Sequence, residues 1–507
     1  MKRVDVAAGA AVGLLAAGAT VAVGELAAVA VRPAAAPVIA VGNRVILLTP
    51  ESIKRWATRE FGTNDKHVLL TGIYTVIGIA SLIIGIVAVR WLWAGLVGVG
   101  LLGAFGVYCA LTASAHHGSD AVPAILGTIA GGVVLVVLLR AARSEDGAIS
   151  PTRRQFLQAG AVTAGFATVG ALGGRVWQHA HFGVSKQRAA LRLPQPSSPA
   201  PTLAGAELGR SPVPFSTPNG HFYKIDTTLV SPQLDPRGWH LHVHGMVDHE
   251  LTLTFDDLIR RPLIERWITL TCVSNEVGGS LVGNARFLGA RLADLLREAG
   301  VQPGADQLLA TSAEGMTIGS PTAVVMDGRD AMLAVGMNGE PLPIDHGFPV
   351  RMVVPGLYGY VSACKWIVDL EATTFDAAQA YWVQGGWAQR GPIRLASRID
   401  TPRSGAKYPV GAVVPIAGVA WDQHVGVSKV EVQVDSGPWQ SARLATVPST
   451  DTWRQWVLPW TVSDTGPHTV RVRAFDGRGT VQEEHYADPF PAGSTGYHQI
   501  VVTGRAA

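Results

Sequence analysis

Five long apolar runs occupy the first 175 residues, and no other feature of this 507-residue chain restricts its folding so strongly. They cover approximately residues 4–31, 68–89, 91–113, 121–139 and 156–172. A helix needs about 20 apolar residues to cross the hydrocarbon core of a bilayer. One such run alone is compatible with a buried helix of a soluble domain, but five in succession read as five membrane helices. Residues 38–48 are too short to span and contain Asn43 and Arg44, which predicts an interfacial segment. Composition agrees: charged residues are only 16% of the chain, against about 25% in ordinary soluble domains.

The flanking basic residues orient these helices. Lys2 and Arg3 precede the first run, Arg90 separates the second from the third, and Arg140, Arg143, Arg153 and Arg154 lie between the fourth and fifth, so all are expected in the cytoplasm. Arg44, Lys54, Arg55, Arg59 and Lys66 then fall outside, against the positive-inside tendency. A second signal breaks the tie. Thr152-Arg153-Arg154-Gln155-Phe156-Leu157-Gln158, followed by an Ala/Gly-rich apolar run, resembles a twin-arginine export signal. No small-residue cleavage site is obvious, so the segment reads as an uncleaved fifth helix that places the rest of the chain outside the cytoplasm. That route carries proteins already folded, which points to a cofactor inserted before export.

Several function classes drop out on counts. Formal net charge is +3, from 41 basic and 38 acidic residues, so there is no field to hold a nucleic acid. The 3 cysteines, Cys109, Cys272 and Cys364, exclude a disulfide framework, a four-cysteine zinc site and a cysteine-ligated iron–sulfur cluster.

Residues 176–218 are expected to be a linker, because 193–218 are rich in Pro, Ser, Ala and Gly and lack periodicity. Over 219–392, strand-like runs (239–243, 267–271, 350–354) alternate with helix-like segments such as 291–299, predicting a mixed α+β domain. From 393 to 507, alternating runs (413–419, 429–434, 469–475, 498–502) separated by Gly, Pro and Asp turns predict an immunoglobulin-like β-sandwich. The expected architecture is therefore multi-domain: an N-terminal α-helical transmembrane region, an α+β domain and a C-terminal sandwich.

Specific chemistry concentrates in the α+β part. Cys272 follows the strand-like Ile268-Thr269-Leu270-Thr271 and opens the loop Cys272-Val273-Ser274-Asn275-Glu276-Val277-Gly278-Gly279, where a loop can present the thiol to a ligand. A lone cysteine is more often an inert buried residue. Met337-Asn338-Gly339-Glu340-Pro341-Leu342-Pro343-Ile344-Asp345-His346-Gly347-Phe348-Pro349-Val350-Arg351 is followed by Val353-Val354-Pro355-Gly356 and Ser362-Ala363-Cys364-Lys365-Trp366. His346, Arg351 and Lys365 read as three cations among turns, suited to holding a phosphate; each alone also reads as a solvated loop charge.

Together these segments resemble the sulfite oxidase family of molybdenum enzymes, over residues 219–389 for the molybdopterin-binding domain and over the sandwich for that family's dimerisation domain. The run from Met337 to Trp366 carries the likeness most specifically. Gly283-Asn284-Ala285-Arg286-Phe287-Leu288-Gly289-Ala290-Arg291-Leu292 resembles the segment downstream of the family's metal cysteine, and Asn219-Gly220-His221-Phe222-Tyr223 its first cofactor-contacting loop. The resemblance implies that Cys272 is the thiolate ligand of molybdenum, the other sulfurs coming from the pterin dithiolene. It implies that His346 and Arg351 grip the pterin phosphate, with Ser362 and Lys365 as a second group of donors, and that Asn219, Phe222 and Tyr223 line the pterin. Cys364 falls where the motif needs no thiol. Arg286 is the nearest basic candidate for the substrate pocket; it reads equally as a structural residue.

The sequence departs from sulfite oxidases proper at the cysteine loop, where Glu276 replaces a basic group. A desolvated acid there would repel a small dianion, so neutral S- or N-oxides, as in the methionine sulfoxide reductase branch, are the alternative substrates. A redox partner, cytochrome or quinone-linked, is required. His67, His116 and His117 sit at helix ends, but a simple anchor is preferred over a haem site. The resemblance also implies a homodimer paired through the sandwich. The rival from another class is a cofactor-less, membrane-tethered binding or adhesion protein on the same scaffold.

Overall fold

A computed structural model describes residues 3–61, 64–113, 116–141, 183–209 and 213–506. The chain divides into two compact units: residues 1–184 with 226–233, and residues 185–225 with 234–507.

The first unit is helical: α1 (Arg3–Val29), α2 (Pro37–Leu48), α3 (Glu51–Phe61), α4 (Asp65–Arg90), α5 (Leu92–Leu111) and α6 (Ala121–Ala141). Four stretches are long and apolar enough to cross a membrane: Val6–Val29, Lys66–Arg90, Leu92–Leu111 and Gly118–Arg140. The expected fifth helix and the twin-arginine motif lie outside the described residues. Apolar helices gain little from burying apolar surface against one another in lipid, so close backbone approach matters. Here α1 and α4 meet through glycine: a Cβ on Gly13 would lie 2.0 Å from the Ser81 oxygen, and one on Gly85 2.0 Å from that of Gly9. At the end where α1 stops, Arg32 Nε donates to Asp120 Oδ1 at 2.8 Å. Residues 226–233 pack at the same end: Lys66 pairs with Asp226, and the Leu229 N–H donates to Asn43 Oδ1 at 3.3 Å.

The second unit contains the α+β part and the sandwich. One α+β sheet has the order β2-β1-β10-β5-β6, formed by β1 (His240–Gly245), β2 (Leu251–Thr254), β5 (Gln307–Ser312), β6 (Thr317–Pro321) and β10 (Ile367–Thr373). The other is β3 (Leu263–Thr271), β4 (Val282–Arg291), β7 (Met332–Met337) and β8 (Glu340–Pro341), with β9 (Arg351–Val353) on β7. The sandwich pairs a four-stranded sheet (Ala396–Thr401, Val413–Trp421, Arg454–Thr461, Arg443–Leu444) with a five-stranded one (Lys407–Pro409, His498–Arg505, Gly466–Asp476, Val427–Val434, Gln440–Ser441). Strict alternation along Gly466–Asp476 buries Val470, Val472 and Ala474 between the sheets while their neighbours face outward.

The expected linker is corrected. β3 is an edge strand, which left bare would expose unpaired backbone groups. Residues 197–198 cover it: Ser197 N–H donates to the Leu263 oxygen at 2.8 Å and Glu265 N–H to that of Ser198 at 2.9 Å. Phe215 is fully buried in the α+β core. The low periodicity of this stretch reflects an edge cover that follows another strand's pattern, not a free tether.

Candidate functional site

β3 pairs antiparallel with β4 along its whole length, from Leu263 opposite Ala290 to Thr271 opposite Val282, and delivers Cys272 at its end. The loop that follows closes on itself: Cys272 N–H donates to the Leu281 oxygen at 2.9 Å, and Asn275 Oδ1 accepts from the Leu281 N–H at 2.8 Å. Burial pushes the Cys272 thiol up, and hydrogen bonding from the Ser274 main chain and hydroxyl offsets only part of that rise. Donors to a sulfur favour its thiolate form, but here burial outweighs them and the free site holds a thiol.

The sandwich holds this strand and loop in place. Gln423 Nε2 donates to the Thr269 oxygen and Thr271 Oγ1 at 3.1 and 3.0 Å, and Trp453 N–H donates to Thr269 Oγ1 at 2.7 Å. Beyond the cysteine, Arg398 Nη1 donates to the Gly279 oxygen at 2.8 Å and Ser494 Oγ to that of Asn275 at 2.7 Å. The His498 ring packs against Gly278, and its Nδ1 accepts from the Ile399 N–H at 2.9 Å. Sequence reasoning missed these residues. They lie more than 100 positions from the loop and no local pattern marks them.

Residues 219–223 form the opposite wall. Met337-Asn338-Gly339 turns with Asn338 at φ 53° and Gly339 at φ 86°, the left-handed pair that a tight Asn-Gly hairpin uses. Asn338 Nδ2 donates to Asn219 Oδ1 at 2.8 Å, and Asn219 Nδ2 donates to Glu340 Oε1 at 2.5 Å. Phe222 stacks on Tyr223 with centroids 5.3 Å apart and meets His346 edge-on at 5.6 Å. The Phe222 ring presses on Gly283 of β4, where a Cβ would lie 2.8 Å from it. Burial raises the Tyr223 hydroxyl far above its ordinary range; a charged Cys272 would raise it further and Arg351 lowers it, so Tyr223 lies within electrostatic reach of both.

Main-chain bonds from Met352 to the Cys364 oxygen (2.8 Å) and from Val354 to that of Ser362 (3.2 Å) lay residues 350–354 beside 362–366. Gly347, at φ 106°, lets the chain pass: a Cβ there would sit 2.9 Å from that of Arg351 and 3.2 Å from that of Lys365. Arg351 is 5% exposed, donates Nη1 to the His346 oxygen at 3.2 Å and lies over the Phe287 ring at 5.9 Å. Its Nε is buried without a hydrogen-bond partner, and burial lowers its pKa to about 10. Lys365 donates Nζ to the Asp345 oxygen at 3.2 Å and stands 4.5 Å over the Trp366 ring. A buried guanidinium with an unsatisfied N–H beside a lysine is the donor set an anionic group completes.

Three expectations are corrected. His346 is not a cation: burial, then Arg351, lower its pKa to about 4, so near neutral pH it is a neutral ring whose Nε2 donates to the Asn219 oxygen at 3.1 Å. Ser362 is fully buried with Oγ directed at the oxygens of Leu357 (3.0 Å) and Tyr358 (3.1 Å), so its hydroxyl serves its own turn. Arg286 is not brought to Cys272. Side chains alternate across a strand, and Arg286 takes the face opposite Phe287, ion-paired with Glu265 at 3.2 Å and 5.7 Å over the Trp267 ring. Cys364 is fully buried and burial pushes its thiol up. Glu276 is exposed, so water screens its charge and the argument against a dianionic substrate loses its desolvated premise.

Residues 228–382 match the oxidoreductase molybdopterin binding domain and residues 396–472 the bacterial Ig domain. The chain is 34% identical over 283 residues to the mitochondrial sulfite oxidase of Homo sapiens, covering 45% of this chain and 49% of that one. It is 34% identical over 190 residues to the uncharacterized oxidoreductase YuiH of Bacillus subtilis, covering 38% of this chain and 92% of that one. Among solved structures, the sulfane dehydrogenase SoxCD from Paracoccus pantotrophus aligns at TM-score 0.49 and 24% identity, over 58% of this chain and 85% of that one. The chain thus spans about half the length of the curated sulfite oxidases it matches. The matches to the molybdopterin binding domain, to the sulfite oxidases and to the Bacillus subtilis oxidoreductase show that the chain belongs to the sulfite oxidase family of molybdopterin oxidoreductases.

Proposed function

We propose that the protein is a membrane-anchored, extracytoplasmic molybdenum-cofactor oxidoreductase acting on a small molecule. The observation that carries this is the pairing of the Cys272 sulfur, held at a strand end by a closed loop, with a buried Arg351 whose Nε has no partner. A soft thiolate suits the metal, and the guanidinium and Lys365 suit the pterin phosphate, so the donor set fits the group. When bound, the cofactor supplies two-electron chemistry. Cys272 would hold the metal, and hydrogen bonding from Ser274 offsets part of the burial that otherwise favours the neutral thiol. Phe222 and Tyr223 wall the pterin and exclude water, while neutral His346 fixes the Asn219 loop and accepts through its free ring nitrogen.

Location follows from length, composition and the order of the helices. Residues 226–233 pack where α1 ends and α4 begins, and Val184 N–H donates to Gln233 Oε1 at 3.3 Å, at the opposite end of the bundle from Ala141. The twin-arginine-like motif at residues 152–158 and the apolar sequence that follows it support an extracytoplasmic location for the catalytic part. The helices serve as an anchor without haem. A cytochrome or quinone-linked partner exchanges electrons, and the sandwich pairs two copies. Sulfite and neutral S- or N-oxides both remain candidate substrates.

Molybdenum and pterin analysis of the detergent-purified protein beside Cys272→Ser, followed by assays with sulfite and with sulfoxides, tests this reading. Near-stoichiometric molybdenum whose electronic spectrum changes in the variant is the expected result. Absence of both metal and pterin from protein exported by an intact twin-arginine pathway would overturn it in favour of a binding protein.

A further inference from the structure

β1 reads His240-Leu241-His242-Val243-His244-Gly245, and the two-residue period of a strand buries Leu241 and Val243 completely while the three histidines take the other face. His242 stands opposite Asp369 of β10 in a parallel register, so its carboxylate joins that face. The rings of His242 and His244 stack 4.5 Å apart at 11°. His244 Nε2 lies 3.0 Å from Asp369 Oδ2, and His242 Nδ1 lies 3.6 Å from the same oxygen. One ligating atom from each of the three residues falls within 4.8 Å of the other two, the only such group of three among the described residues.

These spacings nearly close on an ion. Tetrahedral nitrogen and oxygen ligands at about 2.0–2.2 Å from zinc stand roughly 3.4 Å from one another, so rotamer adjustments on the order of 1 Å suffice, with the backbone held by the sheet. A second observation fixes which nitrogen faces inward. His242 presents its outer nitrogen, Nε2, to Glu250 Oε2 at 3.3 Å. A carboxylate that takes the N–H of one ring nitrogen leaves the other free to ligate and raises its basicity, the outer-shell arrangement of metal-bound histidines. The group lies on the sheet β2-β1-β10-β5-β6, whereas Cys272 ends a strand of the other α+β sheet.

We propose that His242 Nδ1, His244 Nε2 and the Asp369 carboxylate form a second metal site, for a divalent transition ion of the zinc and copper class, with Glu250 orienting His242 and a fourth position open. Two imidazoles and a carboxylate suit these ions and disfavour calcium and magnesium, which take oxygen ligands. Copper(II) binds more tightly than zinc(II) at such a donor set.

The test is titration of the full-length, molybdenum-loaded protein with zinc(II) and, separately, with copper(II) against a competing chelator, with electron paramagnetic resonance of the copper form. The expected result is one ion per chain, copper tighter than zinc, and superhyperfine coupling to two imidazole nitrogens. His244→Gln should lose one nitrogen and weaken binding by at least about tenfold; Glu250→Gln should keep both nitrogens with a smaller loss. Asp369→Asn, which retains both imidazoles, is the second variant. Molybdenum content and thermal unfolding should not change in any of them, which separates loss of this site from loss of the fold or of the cofactor. Equal affinity and stoichiometry in the wild type and a His242→Gln, His244→Gln double variant would overturn the proposal, as would a copper spectrum without nitrogen coupling.

Discussion

His346 Nε2 donates to the main-chain oxygen of Asn219 at 3.1 Å across 127 residues of sequence, and this bond joins the two walls of the candidate cofactor site. On one side it steadies the turn that carries Phe222 and Tyr223. On the other, the His346 carbonyl accepts from Arg351 Nη1 at 3.2 Å, so one residue spans from the aromatic wall to the basic pair. The bond needs a proton on Nε2; burial keeps the ring neutral near neutral pH, so its one proton sits there.

Arg351→Met should weaken cofactor retention while leaving the fold. Hydrogen bonds to a charged group contribute about 1.5–3 kcal/mol, so the variant should hold pterin roughly 10- to 100-fold less tightly. Oxidised-pterin fluorescence and metal content after gel filtration measure it. Full retention in Arg351→Met would remove Arg351 from the proposed phosphate grip.

Stability should fall on mild acidification, and two histidines should dominate the effect. His346 and His498 are both lowered from 6.5 to about 4. Between pH 4 and 6.5 the unfolded chain therefore binds more protons at these sites, and each stabilises less as pH falls, by at most about 1.4 kcal/mol per pH unit. Asp422 acts oppositely, since burial raises it to about 6 and its contribution is lost as pH rises from 3.8 to 6. Melting temperature followed from pH 7 to 5 should drop less in His346→Gln than in the wild type; equal slopes would contradict the buried neutral ring.

Much of the architecture was legible because period and length are strong signals. The apolar runs became α1, α4, α5 and α6, and the alternation around residues 469–475 became a sandwich strand with each inward side chain buried. The turn at Asn338-Gly339 and the approach of Arg351 to Lys365 follow from residue types whose backbone demands are local. What escaped was set by long-range pairing. Residues 197–198 look like linker because they follow the edge of β3, and the hold of Gln423, Arg398 and His498 on the cysteine strand and loop has no local signature. The two readings of Arg286 stayed open because a strand's facing depends on register, and Phe287, not Arg286, lies under Arg351. The alternation of histidines along β1 is a sequence pattern, but the carboxylate that joins it comes from β10 through parallel pairing of His242 with Asp369, 127 residues away.

Arg286→Gln should leave turnover per bound molybdenum close to that of the wild type. The side chain is 36% exposed and paired with Glu265, and such a pair contributes about 0.2–1 kcal/mol. A small fall in melting temperature with unchanged kcat and KM is expected. A large rise in KM for an anionic substrate alone would return Arg286 to the substrate pocket.

Gly283→Val should empty the site from a position that touches no cofactor donor. Gly283 lies on β4, and a Cβ there would stand 2.8 Å from the Phe222 ring, whose own stacking on Tyr223 and edge contact with His346 leave it little room. Overpacking costs about 1–3 kcal/mol, and the least costly relief moves Phe222 outward with the turn that carries it. The variant should therefore lose both melting temperature and pterin, whereas a Phe222→Leu, Gly283→Val double variant, with a smaller side chain opposite, should recover most of the melting temperature. The double-mutant cycle tests the contact directly, because non-additivity is expected only if the two residues press on each other. Additive losses would place the effect of Gly283→Val elsewhere on β4.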